Sequence, residues 1–287
     1  MVKFLLIGPI SKDHITKGNK VYNSIGGAVY YQSAVFSELG IENTVVTTLN
    51  YKDKYLLGNF PEDTEIIPIY TSRTLEFDNL YHDDDPNHRI QKARADENPI
   101  KPTEFKNVDL KSYSSILLSP LTSYDIPLET IQFLRKQDKP LYMGAQGYLR
   151  CIMNDKIFLR PWEEFKDYLK HLEYLFLDES EARVILNDHG NNLAETARKL
   201  ETLGPQEVII TQGDRGAVVY SGKYDKVYDI PAKPPEKIVD PTGMGDTFMA
   251  AYAAKKLDTE DPLICASFAA QISSEKMAQK GAYKKRF

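Results

Sequence analysis

Residues 240–248 read DPTGMGDTF, and FMAAYAAKKL follows from Phe248, an unbroken helix former with no interruption before Asp258. A glycine-rich turn that feeds a helix presents unpaired amide N–H groups and the positive end of the helix dipole, which together attract an anion. Gly243 and Gly245 bracket Met244 in that turn, and Asp246 follows at once. A carboxylate beside an anion site is electrostatically costly, so Asp246 is either a helix cap or a group with chemistry to perform.

Outward from this stretch, strand-like and helix-like runs alternate. VKFLLIG (2–8) has the pattern of a buried strand, GAVYYQSAVFSELG (27–40) of a helix closed by Gly40, and NTVVTTL (43–49) of the next strand. SSILLS, IPLETIQFLRKQ, PLYMGA, PWEEFKDYLKHL, EYLFLD and ESEARVIL then continue the rhythm to residue 186. Such alternation predicts an α/β fold with a mostly parallel sheet flanked by helices in three layers, where ligands bind beyond the carboxyl ends of the strands. Two segments depart from it, residues 11–24 and 64–98, the latter holding EIIPIY, RTLEFDNLY and HRIQKARA around the acidic run DDDPN. They are expected to form a small antiparallel sheet acting as a lid on one domain spanning residues 1–287.

Composition limits the function. Apolar residues make up 42% and charged residues 27% of the 287-residue chain, ordinary for a soluble globular protein. A net charge of −5 without a basic stripe argues against nucleic acid as the main partner, and Lys284–Arg286 is expected to be a solvated tail. Cys151 and Cys265 offer no disulfide framework or metal spacing, which fits a cytoplasmic location. The opening MVKFLLIG ends at Gly8 and Pro9 without a cleavage pattern, and no run approaches the ~18 apolar residues of a membrane span. A Walker-type P-loop, an H-E-x-x-H pair and a C-x-x-C pair are all missing from the sequence. His82 and His88 in the acidic loop are expected to be solvated, with no metal.

Four further stretches hold residues suited to chemistry. Gly26–Gly27 would let the backbone approach a ligand closely. Asp178–Glu181 (DESE) follows a strand and could hold a hydrated magnesium or simply cap a helix. Thr211–Ala217 (TQGDRGA) is a tight turn after the strand EVIIT, and Gly144–Arg150 reads GAQGYLR at another strand end.

In this order the stretches resemble the ribokinase-like, or PfkB-type, carbohydrate kinases. That family carries D-P/T-T-G-A-G-D-T/S-F where this chain has Asp240–Phe248, with Met244 replacing Ala. The resemblance extends over the whole chain through Asp13, the Gly-Gly pair, the T-x-G-x-x-G turn and a final helix ending near Gly281 and Ala282. Two departures stand out: Asp178-x-x-Glu181 replaces the usual N-x-x-E, and Gly144 stands where some members carry an acid ahead of Gln146 and Arg150.

The resemblance implies an ATP-dependent kinase that phosphorylates a hydroxyl of a small sugar or polyol. Asp246 would be the general base, and Gly243, Met244 and Gly245 the anion hole. Asp13, Gly26, Gly27, Gln146, Arg150 and the lid residue Arg89 would bind the acceptor. Thr211, Gly213, Gly216 and Thr242 would border the nucleotide. Glu181 would act on Mg²⁺ through water, with Asp178 the altered member of that pair, and the resemblance leaves room for a monovalent cation. The same pattern admits a nucleoside acceptor or a non-catalytic ligand-binding relative, although a sensor has no use for the base. Exposed lid edges suggest a homodimer.

Overall fold

The computed structural model describes residues 2–17, 20–82, 85–187 and 192–285. Strand β1 (Lys3–Ile7) leads into the antiparallel pair β2 (Ser11–Lys17) and β3 (Lys20–Gly26), then α1 (Ala28–Glu38) and β4 (Glu42–Asn50). Next come β5 (Glu65–Thr71), β6 (Leu75–His82), β7 (Asp85–Arg94), β8 (Ser115–Leu118), α2 (Leu128–Arg135) and β9 (Leu141–Gly144). The pair β10 (Arg150–Met153) and β11 (Lys156–Leu159) precedes α3 (Phe165–Leu169), β12 (Tyr174–Asp178), α4 (Glu179–Ile185) and α5 (Leu193–Glu201). The last elements are β13 (Glu207–Thr211), β14 (Ala217–Ser221), β15 (Lys226–Ile230), α6 (Met244–Lys255) and α7 (Pro262–Met277).

The large sheet has the order β15-β14-β13-β12-β9-β8-β1-β4-β5. Every pairing from β13 across to β5 is parallel, and β14 and β15 extend it antiparallel. Both faces are covered, which is why its strands read as continuous apolar runs. In β1, Phe4 and Leu6 pack with α1, α6 and α7, whereas Leu5 and Ile7 pack with α2, α3, α4 and α5. Helix α6 lies against both α1 and α7, so Thr247 to Ala254 are all buried. Its Ala-rich sequence is apolar on every side for that reason. Among the described residues no helix is long and apolar enough to cross a membrane.

The smaller sheet has the order β10-β11-β7-β6-β2-β3 and differs from expectation in three ways. EIIPIY does not join it: β5 pairs in parallel with β4 at the edge of the large sheet, where Ile66, Ile67 and Ile69 lie against the two cores. Pro68 is tolerated there because an edge strand needs no second ladder. In its place the β10–β11 hairpin completes the small sheet, with Lys156 opposite Lys92 of β7. The sheet is also not wholly antiparallel, since β2 and β6 run in parallel from Ser11↔Leu75 to Lys17↔Tyr81.

Two helices are also adjusted. Of residues 161–172 only Phe165–Leu169 is α-helical, because Trp162 stacks on Tyr148 at 4.2 Å and fixes the chain ahead of it. Helix α6 begins at Met244, so Asp246 lies inside its first turn.

Candidate active site

Because the central strands are parallel, β1, β9, β12 and β13 end on one side, where such sheets bind ligands. A cavity of about 520 Å³ opens there between the two sheets. Ser11 and Asp13 from β2, Phe77 from β6 and Gln91 from β7 form one wall, and Thr242 to Asp246 form the facing one. Gln146 and Arg150 also line it, carried across because GAQGYLR is where the chain leaves β9 for the small sheet. A groove of about 480 Å³ adjoins it, lined by Asp178, Glu179, Arg183, Thr211, Gly213 and Arg215 among others. Asp178 and Gly213 border both spaces.

Gly243 is the N-cap of α6, in the left-handed conformation at φ 73°, and as glycine it offers no side-chain cap of its own. A Cβ there would lie 2.4 Å from the Tyr31 ring, so the turn needs glycine both for its backbone and for this close approach. Thr247 N–H donates to Gly243 O at 2.9 Å, leaving the amides of Met244, Gly245 and Asp246 ahead of the first helical bond. Amides at this position in a helix are the usual donors to a bound anion. Gly245 differs from Gly243: a Cβ on it would meet nothing within 4 Å, so its smallness keeps the cavity open and does not shape the turn. Asp246 is half-buried on the same wall.

Opposite this turn, Asp13 is 6% exposed and accepts a hydrogen bond from Ser11 Oγ at 2.7 Å. The Gly-Gly pair is explained by its surroundings. A Cβ on Gly26 would fall 2.6 Å from both Asp13 carboxylate oxygens, and one on Gly27, at φ 105°, 2.7 Å from Pro9 O. Gly26 therefore makes room for the carboxylate without itself lining the cavity. The Arg150 guanidinium lies over the Phe77 ring at 5.8 Å. Arg89 lies outside the described side chains, as do His82 and His88.

The turn after β13 has Thr211 and Gly213 on the groove, while Gly216 does not line it. At φ 103°, with a Cβ placed 1.9 Å from Ile230 O, Gly216 is needed for the passage of β14 past that carbonyl. In the groove itself, Glu179 bridges Arg183 (2.5 Å) and Arg215, so two guanidiniums are held together at its wall.

Asp178 and Glu181 form a reciprocal capping box: Glu181 N–H donates to Asp178 Oδ1 at 2.8 Å and Asp178 N–H to Glu181 Oε2 at 2.9 Å. Glu181 is 4% exposed and lines neither space. Burial, reinforced by Asp178, pushes its carboxyl up to about 8, against the pull of the Asp178 amide, Arg150 and Gln146. A raised carboxyl contributes stability fully below its unfolded value of 4.5 and loses it as pH climbs to about 8. Glu181→Gln keeps the cap acceptor without the charge, so it should stabilise the protein by on the order of 3 kcal/mol at pH 8 and hardly at all at pH 4. Denaturant titrations across that range measure it, and parallel pH curves for the two proteins would contradict it. Among the described residues no group of three His, Cys, Asp or Glu side chains forms a ready metal cage.

The model of the pfkB family carbohydrate kinases matches residues 88–286. The chain belongs to this family. Among relatives of the pfkB-family chain, a ribokinase of Lactococcus lactis is 24% identical over 98% of this chain and 93% of its own length. A cytidine kinase of Thermococcus kodakarensis is 33% identical over 97 residues, and the chain spans only 34% of that relative's length. A pyrophosphate-dependent kinase of the ribokinase family, solved as a sulfate complex, superposes with a TM-score of 0.85 at 26% identity, covering 98% of this chain and 97% of that one. A ribokinase of Arabidopsis thaliana, complexed with ribose and ATP, shares the fold at TM-score 0.78 and 17% identity. The fold is thus that of the ribokinase family.

Within this pfkB-family site, sequence reasoning missed Ser11, Tyr31, Phe77 and Gln91 on the cavity wall. Ser11 and Phe77 could have been found by strand periodicity, since they share register with Leu75 and Asp13 across β2 and β6. Tyr31 gave no signal, because its place beneath Gly243 depends on how α1 meets α6. Lys276 was missed as well, although it falls on the buried stripe Cys265, Ala269, Ile272 of α7, where a charge is out of place.

Proposed function

We propose that the protein transfers the γ-phosphoryl group of ATP to a hydroxyl of a small sugar or polyol. The observation that carries this is Asp246: a half-buried carboxylate in the first turn of α6 that lines the cavity together with Gly243, Met244 and Gly245. Asp13, Gln146 and Arg150 hold the acceptor hydroxyls. Asp246 takes the proton of the attacking hydroxyl, whose oxygen bonds to the γ-phosphorus as the bond to the β-phosphate oxygen breaks and ADP leaves. The Gly243–Gly245 amides meet the charge on the equatorial oxygens. The small sheet acts as a lid that excludes water. Magnesium neutralises phosphate charge when bound. Asp178, on the border of both spaces, and Glu181 behind it would hold that ion through water. The free cysteines Cys151 and Cys265 agree with a cytoplasmic setting.

Asp13→Asn tests the acceptor side. A charged hydrogen bond to a hydroxyl contributes about 1.5–3 kcal/mol, so the acceptor KM should rise by roughly 10–100-fold with a much smaller loss in kcat. An unchanged KM would place the acceptor elsewhere.

Two alternatives have observations behind them. A nucleoside acceptor is favoured by the cytidine kinase relative. Pyrophosphate as donor is favoured by the 26% identical pyrophosphate-dependent kinase and by Arg183 and Arg215, which suit a compact, highly charged donor. Strand β3 is an edge of the small sheet with Val21 71% exposed, and a second copy covering it gives the homodimer we propose. Sedimentation should report a dimer at micromolar concentration; a monomer at high micromolar concentration would remove the dimer alone.

A further inference from the structure

Lys276 of α7 is 0% exposed, and its ammonium is turned to the interior. It donates to the backbone carbonyl of Asp240 at 2.8 Å and to that of Thr242, the residues immediately ahead of the Gly243 turn. Asp240 Oδ2 lies 3.8 Å from it, and the Tyr31 ring centroid is 5.4 Å away. That same ring is the surface against which Gly243 packs. The carboxylate of Asp240 is committed in turn, accepting from Thr242 N–H and from Gly281 N–H, both at 2.9 Å. Two carbonyls, a carboxylate and an aromatic face therefore converge on one buried positive charge.

Burying an ammonium is costly, and an apolar side chain would fill this position on the α7 stripe more cheaply. The ammonium is nevertheless the major form at neutral pH: burial lowers it to about 8, with Asp240 and Asp246 opposing. Buried carbonyls of a loop need a donor, and here the chain supplies a cationic one from its own helix.

We propose that Lys276 is a built-in cation that sets the geometry of the Asp240–Asp246 turn, in the place a free monovalent cation would otherwise take. It is a positioning residue, acting on the anion hole through the Asp240 and Thr242 carbonyls. The carbonyls are already satisfied, so the expectation of a bound potassium or sodium ion does not fit this chain at that turn. The proposal rests on the kinase assignment for its effect on turnover, though not for its effect on the loop.

The test compares the wild type, Lys276→Met and Lys276→Ala in potassium chloride, ammonium chloride and tetramethylammonium chloride at equal ionic strength. Two quantities are read: turnover with the best donor and acceptor, and amide hydrogen exchange of residues 240–246. Wild-type turnover and exchange should agree within two-fold in all three salts. Lys276→Met should lose about 100-fold in kcat, the scale of an ångström misplacement of catalytic groups, with acceptor KM changed by only a few-fold. Lys276→Ala should show exchange at least about tenfold faster, reversed by potassium or ammonium and not by tetramethylammonium. Wild-type turnover that climbs several-fold with potassium, or a Met variant with normal kcat, would overturn the proposal. So would exchange unaltered in the Ala variant. Altered exchange in a protein without turnover would uphold the lysine's role and refute the kinase assignment instead.

Discussion

Asp246→Asn should lower kcat by roughly 10²–10⁴-fold, the usual contribution of a positioned general base. Asparagine keeps the shape and hydrogen-bonding capacity of the side chain but cannot accept the acceptor's proton. Helix α6 should be little disturbed, because its N-cap is Gly243 and asparagine keeps the side-chain oxygen of Asp246 as a hydrogen-bond acceptor. Donor affinity should stay within about a few-fold, or tighten, since the amides of the turn remain and a negative charge beside the phosphates has gone. Turnover and calorimetric donor binding, measured on the same preparation, separate the two effects. Near-normal turnover would mean that the carboxylate orients the helix start and does not move a proton.

Gly243→Ala should be the most damaging single methyl group in the site. Its Cβ would sit 2.4 Å from Tyr31 Cγ and 2.5 Å from both Cδ atoms, at a backbone φ of 73° that favours glycine. Left-handed strain of roughly 1–2 kcal/mol adds to overpacking of about 1–3 kcal/mol. Stability should therefore fall by ~2–5 kcal/mol, with turnover lost as Tyr31 and the amides are displaced. Gly245→Ala is the control, because its Cβ meets nothing within 4 Å. That variant should keep its stability while a methyl group intrudes on the ligand space. Equal stabilities for the two variants in denaturant titration would contradict the described turn.

The contrast between these glycines also marks how far the sequence was informative. The parallel sheet and its helices were readable because β1, β8, β12 and β13 are apolar on both faces and helices separate most of them. Motif chemistry pointed to Asp13, Gln146, Arg150 and the Gly243–Asp246 turn on the cavity walls, but not to Ser11, Tyr31, Phe77 or Gln91. Long-range geometry was not. EIIPIY has the same local pattern whether it pairs with β4 or joins the lid, and only the free side of β4 decides it. The β10–β11 hairpin was hidden because RCIM and KIFL are short, mixed runs whose partner lies in β7, far away in sequence. Gly243 and Gly245 look alike in DPTGMGDTF, yet Tyr31 from α1 distinguishes them. Likewise Asp178 and Glu181 fit either a metal pair or a cap by spacing, and the capping box is the arrangement they adopt.

The central claim is phosphoryl transfer to a carbon-bound hydroxyl with Asp246 as base. Phosphorus NMR on the wild type and Asp246→Asn tests it most directly, with magnesium present, ATP or pyrophosphate as donor, and sugars, polyols and nucleosides as acceptors. A new phosphomonoester from the wild type with at least one acceptor, slowed by about 10²-fold or more in the variant, is the predicted result. No phosphomonoester from any acceptor with either donor, or equal rates for the two proteins, would contradict it.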